Sequence, residues 1–307
     1  MKKPILKIDF VDFGGIDKNH NEFTRVLQLD FDVVISDKPD LLFFHDGSHV
    51  NRLYTCKKVF FSGETIMPDW RHTDYALTCH YLDDKRHLRY PYYLWGAPGT
   101  TAQTIIKPDG FVDRVVSQNR DSCSAIISNA NPKRTKTRLE FFHKLRDRIN
   151  LASGGRYENN AGHIGSLEEK LEFLAKFKLH FCYENKELDG YTTEKLVHAM
   201  HAGCIPIYWG NKRVGDEFNK KSMLCRYDFD SDEALLEKIT EVLQDEELYR
   251  EILSEPYFNN NTPNEYFDDG RLRAFFRRII EDETPPISKR QNRGIWGRWT
   301  LAKRHHR

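Results

Sequence analysis

Two polar residues, Glu184 and Asn185, directly follow an apolar run at residues 181–183 that predicts a buried strand. In open α/β sheets, ligands bind outside the carboxyl ends of the strands. The sequence therefore places a carboxylate and an amide where a ligand would be bound.

Glu194 and Lys195 lie in the first turn of a helix predicted over residues 193–202, which Gly203 closes. A lysine is unusual there, because the helix dipole favours anions at that end. The lysine is expected if an anion is bound, since Lys195 and the backbone N–H groups would then form a phosphate site. The alternative is a solvated helix start without a ligand, because short motifs often mislead.

The elements around these residues indicate a parallel, doubly wound sheet, because strands and helices alternate. Ser166 and Glu169 have the spacing of a capping box at one helix start. The predicted strands cover residues 124–128, 179–183 and 205–209, and the predicted helices cover 138–149, 166–177, 193–202, 231–244, 246–254 and 264–282.

A second sheet is predicted in the first third of the chain, where short apolar runs alternate with polar turns. These runs cover residues 5–10, 33–36, 41–44, 59–61 and 75–78. A stretch rich in Gly, Pro and Thr near residues 100–120 breaks the periodicity and predicts a boundary. The predicted division is a first lobe at 1–115, a second lobe at 116–262, a C-terminal helix at 263–286 and a tail at 287–307.

Composition supports a folded protein of two domains. The chain has 307 residues, of which 39% are hydrophobic and 30% charged, so it can build a core. No apolar run reaches the roughly 20 residues of a membrane span, and the N-terminus has no secretory leader pattern. The six cysteines include no CxxC pair, which favours reduced thiols in the cytoplasm and no zinc site.

The tail at residues 287–307 has seven Lys or Arg residues and no acidic residue, so the rest of the chain is slightly acidic. This distribution argues against a nucleic-acid binder, whose basic residues would cover the folded surface. Ile295, Trp296, Trp299 and Leu301 lie among the basic residues, a composition typical of an interfacial membrane segment. The alternative is a disordered, solubilising tail.

The stretch 181–210 closely resembles the signature of the α1,3/α1,4-fucosyltransferases, which use GDP-fucose. The matching residues are Phe181, Glu184, Asn185, Tyr191, Thr193, Glu194, Lys195 and Leu196, followed by the run AGCIPIYWG from Ala202 to Gly210. Two further segments extend the resemblance: Ser128 and Asn129 followed by Arg138, and the run Phe61 to Glu64. The resemblance covers most of residues 58–280.

The resemblance implies the GT-B fold, with two Rossmann-like lobes facing each other across a cleft. It implies an inverting transfer of L-fucose from GDP-fucose to a hydroxyl, the 3-OH of N-acetylglucosamine in a lactosamine-type glycan. No metal and no further cofactor would be required. A protein without a spanning helix would act in the cytoplasm, peripherally on the inner face of the membrane. The alternatives are a different donor or acceptor sugar, and a non-catalytic nucleotide-sugar or glycan-binding protein.

The resemblance also implies roles for single residues. Glu64 would be the general base that accepts the proton of the acceptor hydroxyl. Arg138 and Lys195 would neutralise the diphosphate leaving group, with Arg134 a weaker substitute for Arg138. Glu194 would accept hydrogen bonds from sugar or ribose hydroxyls.

Each role has a structural alternative. Asn185 and Tyr191 would shape the same donor pocket, although Tyr191 could simply pack on the helix. Glu64 could bind loop amides, and Arg138 could pair with nearby acids on an exposed helix face. His198 and His201, three apart on one helix, are interpreted as packing or surface residues.

Overall fold

The computed structural model describes residues 2–96 and 102–290. Its strands are β1 (Ile5–Val11), β2 (Asp32–Ile35), β3 (Leu41–Phe44), β4 (Lys57–Ser62), β5 (Tyr75–Thr78), β6 (His87–Arg89), β7 (Asp121–Ala125), β8 (Leu151–Ser153), β9 (Phe177–Tyr183), β10 (Ile205–Trp209) and β11 (Leu224–Cys225). Its helices are α1 (Glu22–Leu27), α2 (Ala102–Ile105), α3 (Phe111–Val116), α4 (Pro132–Arg148), α5 (Leu167–Leu174), α6 (Glu194–His201), α7 (Asp232–Gln244), α8 (Glu246–Ser254), α9 (Asp269–Glu281) and α10 (Ile287–Arg290).

The described residues form two compact units, which we call the first and the second domain. The first domain contains the residues up to Tyr90 and those from Asp268 onward, and the second domain runs from Pro91 to Phe267. This division differs from the predicted boundary at residue 115. The segment after Pro91 belongs to the second domain because Tyr93 and Ile105 are buried in that domain's core.

The first domain is built on a parallel sheet with the strand order β2-β1-β3-β4-β5-β6. The residues of its central strands β3 and β5 are all buried, as expected when both faces of a parallel sheet are covered. One face carries an aromatic core in which Phe23 of α1 contacts Phe43 and Phe61, each at 5.2 Å between ring centroids. Phe276 of α9 joins this core, 5.6 Å from Phe43, so the C-terminal helix completes the first domain.

The second domain is built on a parallel sheet with the order β11-β10-β9-β7-β8. Alternate residues of β9 point to opposite faces. Phe181 and Tyr183 pack with α4, α7 and α8, whereas Cys182 packs with α5 and α6. The face of Phe181 and Tyr183 is apolar, whereas Lys178 and His180 lie on the same face as Cys182.

Several predicted elements differ from the observed ones. Helix α4 begins at Pro132 rather than at residue 138, and the Asn131 side chain caps it by accepting from the Lys133 N–H. Strand β7 begins at Asp121, which pairs with Phe177 at the start of β9, and it ends at Ala125, so residues 126–128 form the loop at its carboxyl end. Helix α9 begins at Asp269 because the Asp268 side chain caps it by accepting from the Gly270 N–H. The six cysteines are free thiols, and all except Cys56 are buried.

None of the helices in the described part of the chain has the length and apolar character that crossing a bilayer requires. The predicted membrane-binding residues from Ile295 to Leu301 lie outside the described residues.

Candidate active site

A buried carboxylate, Glu184, organises the start of helix α6. It follows β9 and is 0% exposed. Its Oε1 accepts from the Thr193 N–H at 2.7 Å, and its Oε2 accepts from the Thr193 hydroxyl at 2.8 Å and from Lys195 Nζ at 2.9 Å. The carboxylate therefore fixes the helix start and the lysine in one arrangement. From the sequence, Glu184 was expected only where a ligand would be bound, and its hydrogen bonds to Thr193 and Lys195 were not predicted.

Gly210, the last residue of the motif, makes room for this carboxylate. A Cβ on Gly210 would lie 2.4 Å from Glu184 Cγ. A larger residue would displace Glu184 from its hydrogen bonds. Close packing against Glu184 therefore explains why the signature has a glycine at this position.

Lys195 is held in its charged form. Burial lowers the pKa of its ammonium, but the attraction of Glu184 and Glu194 outweighs burial and raises the pKa above its usual range. Its side chain is 18% exposed, while the ammonium is bound to Glu184.

Arg138 lies close to this lysine. It is 3% exposed on α4, and its guanidinium donates to Asn185 Oδ1 at 2.6 Å and to the Asn129 carbonyl. The charge of Arg138 also opposes protonation of Lys195, which indicates that the two cations share one region. The alternative of an exposed arginine paired with an acid on the helix surface is therefore excluded.

Glu194, the first residue of α6, is half-buried and ionised. Burial raises the pKa of its carboxyl, but Lys195 and Lys170 outweigh burial and hold the pKa below its ordinary value. Its carboxylate lines a cavity and can accept hydrogen bonds there.

This cavity, which we call the α6 cavity, has a volume of about 780 Å³ and lies within the second domain. It is formed at the carboxyl ends of β7 and β8, by the loops that contain Ile126, Ser128, Gly154 and Gly155. Its size is in the range of sites that bind nucleotide-sized ligands. Lys170 and His198 also line it, and neither was predicted as a ligand-binding residue.

Gly155 is required for packing at this edge. A Cβ there would lie 2.2 Å from the Ile127 carbonyl oxygen. The close approach joins the loops that follow β7 and β8. The constraint on this glycine is therefore a contact between backbones.

Tyr191 is 1% exposed and lies in the loop before α6, where its N–H donates to the Leu188 carbonyl at 3.0 Å. Its burial is consistent with the alternative of simple packing. The described residues that line the α6 cavity do not include Tyr191, Asn185, Arg138 or Lys195. Two residues of the cavity lining are nevertheless sequence neighbours of the cation site. Glu194 precedes Lys195, and Ser128 precedes Asn129, whose carbonyl accepts from Arg138.

Glu64 lies in the first domain, directly after β4. Ser62 is 0% exposed, and its hydroxyl accepts from the Glu64 N–H at 3.1 Å. The Glu64 carbonyl accepts from this hydroxyl and from the Cys79 thiol, and the residue as a whole is exposed. A carboxylate at the carboxyl end of a parallel strand is available to a ligand.

Among the described residues, no group of three or more His, Cys, Asp or Glu side chains is placed to hold a metal ion. The predicted independence of metal stays a prediction, which metal removal from the assayed protein would test.

Comparison with known proteins gives the family. Residues 8–95 match the α-(1,3)-fucosyltransferase FucT N-terminal domain, and residues 116–259 match the C-terminal domain of glycosyltransferase family 10 (fucosyltransferase). The chain is 27% identical to the α-(1,3)-fucosyltransferase FucT of Helicobacter pylori, over 92% of this chain and 67% of that protein.

Solved structures establish the fold. The chain resembles a crystal structure of an α1,3-fucosyltransferase with a TM-score of 0.78 and 24% identity, covering 93% of this chain and 92% of that one. It resembles a structure of α1,3-fucosyltransferase with GDP-fucose with a TM-score of 0.76 and 23% identity, covering 92% and 93%. The predicted GT-B class, with two Rossmann-like domains, is thereby confirmed. The chain belongs to the fucosyltransferase family, glycosyltransferase family 10, and it is a glycosyltransferase of that family.

Proposed function

We propose that this enzyme transfers L-fucose from GDP-fucose to the 3-OH of N-acetylglucosamine in a lactosamine-type glycan, with inversion at the anomeric carbon. The observation that carries the proposal is the pair of cations, Arg138 and Lys195. Lys195 is held by the buried Glu184 and Arg138 by Asn185, and both partners directly follow β9 at the carboxyl edge of the second sheet. Fixed cations at this edge suit a diphosphate, and the related structure with GDP-fucose supports the choice of donor.

The acceptor oxygen attacks the anomeric carbon of fucose while its proton passes to the Glu64 carboxylate. The bond between that carbon and the β-phosphate oxygen breaks, and its electron pair leaves with GDP. The β-linked donor gives an α-linked product. Because the leaving diphosphate gains charge in the transition state, Arg138 and Lys195 stabilise that state more than the ground state.

Incubation with GDP-fucose and N-acetyllactosamine tests the proposal, with GDP release measured and the product linkage determined by NMR. We expect GDP release that depends on the acceptor and an α1,3-linked product. If the enzyme turned over only another nucleotide sugar and not GDP-fucose, the proposed donor would be wrong. A product with a different linkage would refute the proposed regiochemistry. GDP binding without turnover on any offered acceptor would indicate a binding protein. The same assay after treatment with EDTA is expected to keep its rate.

We also propose that residues 287–307 attach the enzyme to anionic membrane surfaces, because their basic residues and tryptophans suit an interfacial segment. The full chain should sediment with phosphatidylglycerol vesicles, and a variant truncated after Arg290 should not. Equal sedimentation of the two proteins would contradict this attachment.

A further inference from the structure

One buried histidine in the α6 cavity has no protein partner. His198 is 2% exposed, and neither Nδ1 nor Nε2 has a hydrogen-bond partner within residues 2–96 and 102–290. A buried polar group without a partner destabilises the folded state, and such groups are rare in folded proteins. His198 therefore requires an explanation that packing does not give.

The position of His198 points to a ligand. It lies four residues after Glu194 on α6, so the two side chains occupy neighbouring positions on one helix face. Both line the α6 cavity. Burial lowers the pKa of the imidazole to about 3, so at neutral pH the ring is uncharged, and one ring nitrogen can donate a hydrogen bond while the other can accept one.

The cavity fits one part of the proposed donor. If the diphosphate lies at Arg138 and Lys195, the adjoining nucleoside must continue from it. Glu194 and Ser128 line the α6 cavity, and the residues that follow them in the chain, Lys195 and Asn129, belong to the cation site. A ribose carries two neighbouring hydroxyls, each of which can donate and accept. Glu194 can only accept, whereas neutral His198 can do both.

We propose that His198, together with Glu194, binds the 2′- and 3′-hydroxyls of the donor ribose, and that His198 is thereby a specificity-determining residue for a ribonucleotide donor. This inference rests on the proposed function, because it takes a nucleoside diphosphate as the ligand. It assigns a ligand-binding role to a histidine that the sequence indicated to be a packing or surface residue.

The test compares binding of GDP, 2′-deoxy-GDP and 3′-deoxy-GDP to the full chain by isothermal titration calorimetry. We expect the unaltered enzyme to bind GDP about tenfold more tightly than at least one deoxy analogue, since one hydrogen bond is lost. Equal affinity for the three nucleotides would overturn the proposal without any variant. Failure to bind GDP at all would instead refute the proposed function.

The variant His198→Phe keeps an aromatic ring of similar size but removes both nitrogens. We expect it to bind GDP about tenfold more weakly and to bind the disfavoured analogue as the unaltered enzyme does, so that discrimination disappears. We also expect its Tm to rise by about 2–4 °C, because two unpaired nitrogens leave the core. An equal loss of affinity for all three nucleotides would indicate a purely structural role and overturn the proposal.

His201→Phe is the matched control. His201 lies one turn further along the same helix, outside the described lining of the α6 cavity. We expect it to keep the discrimination between GDP and the deoxy analogues. If His201→Phe abolished the discrimination as His198→Phe does, the effect would belong to the helix as a whole, and the assignment to His198 would be wrong.

Discussion

At the residue scale, Glu184 has the largest influence on the site. It is buried, carries three hydrogen bonds and holds Lys195 in the charged state. A buried ion pair does not by itself guarantee stability, because desolvation offsets the attraction. Its value here is in positioning, since Lys195 can meet a diphosphate without first being ordered.

Replacing Glu184 by glutamine should weaken both the fold and GDP binding. The change removes the charge that three donors share, so we expect the free energy of unfolding to fall on the order of 2 kcal/mol in urea denaturation. GDP affinity should fall in the same protein, because Lys195 loses its anchor.

Glu187→Gln is the control for that prediction. Glu187 forms an exposed ion pair with Lys212 at 2.6 Å, and exposed pairs contribute little. We expect less than about 1 kcal/mol of destabilisation from this control. An equal effect of the two substitutions would show that Glu184 has no special role.

Glu64→Gln separates catalysis from binding. If Glu64 is the base, the variant should bind GDP as before and lose turnover by about 10²–10⁴-fold, because glutamine cannot accept the proton. Steady-state GDP release and calorimetry with GDP measure the two effects. Full turnover in Glu64→Gln would remove Glu64 from the mechanism.

At the element scale, the carboxyl edge of the second sheet depends on close contact between loops. The loops after β7 and β8 meet where Gly155 approaches Ile127. Strand β9, between β7 and β10, carries Glu184 and Asn185 directly after its end. Small shifts of these strands would therefore move the site.

Gly155→Ala should destabilise the second domain and weaken GDP binding. Its Cβ would lie 2.2 Å from the Ile127 carbonyl oxygen, so the backbone must move, at a cost of about 1–3 kcal/mol. Gly14→Ala is the control, since a Cβ at Gly14 meets no described atom within 4 Å. Denaturation curves that are the same for the two variants would contradict the packing argument.

His180 makes the pairing of β7 with β9 sensitive to acid. It is 2% exposed, and Nδ1 lies 2.8 Å from the Ser124 hydroxyl. Burial lowers the pKa of its imidazole to about 3, below the value of about 6.5 in an unfolded chain. Between these values only the unfolded chain binds the proton, so stability falls as pH falls, by up to about 1.4 kcal/mol per pH unit.

His180→Asn should reduce this pH dependence. Urea denaturation between about pH 7 and about pH 5 measures it. The control is His20→Asn, because the His20 side chain is 84% exposed. We expect the control to keep the pH dependence of the unaltered enzyme, and an unchanged slope in His180→Asn would show that His180 is not responsible.

At the scale of the whole molecule, sequence patterns predicted the sheet class and the central strands but not the limits of the domains. Strands β9 and β10 are mostly apolar, and the polar residues Glu184 and Asn185 directly follow β9, so the positions of both strands were predictable. The packing of α9 on the first sheet was not predictable, because the contact between Phe276 and Phe43 joins residues that are distant in sequence. The role of Glu184 could have been inferred from the lysine-bearing helix start, whereas the cavity around His198 depends on loops without periodicity.

Phe276→Ala tests the assignment of α9 to the first domain. Phe276 is 1% exposed and packs on Phe23 and Phe43. Removing its ring should lower the free energy of unfolding by about 3–5 kcal/mol, measured by chemical denaturation. A loss below about 1 kcal/mol would show that α9 contributes little to this core.

The central claim of this account is that Arg138 and Lys195 together bind the diphosphate of the donor. A crystal structure of the enzyme with GDP tests it most directly. The account predicts diphosphate oxygens within about 3.2 Å of Lys195 Nζ and of the Arg138 guanidinium. Ordered GDP at another place, with both side chains making no contact to phosphate, would contradict it.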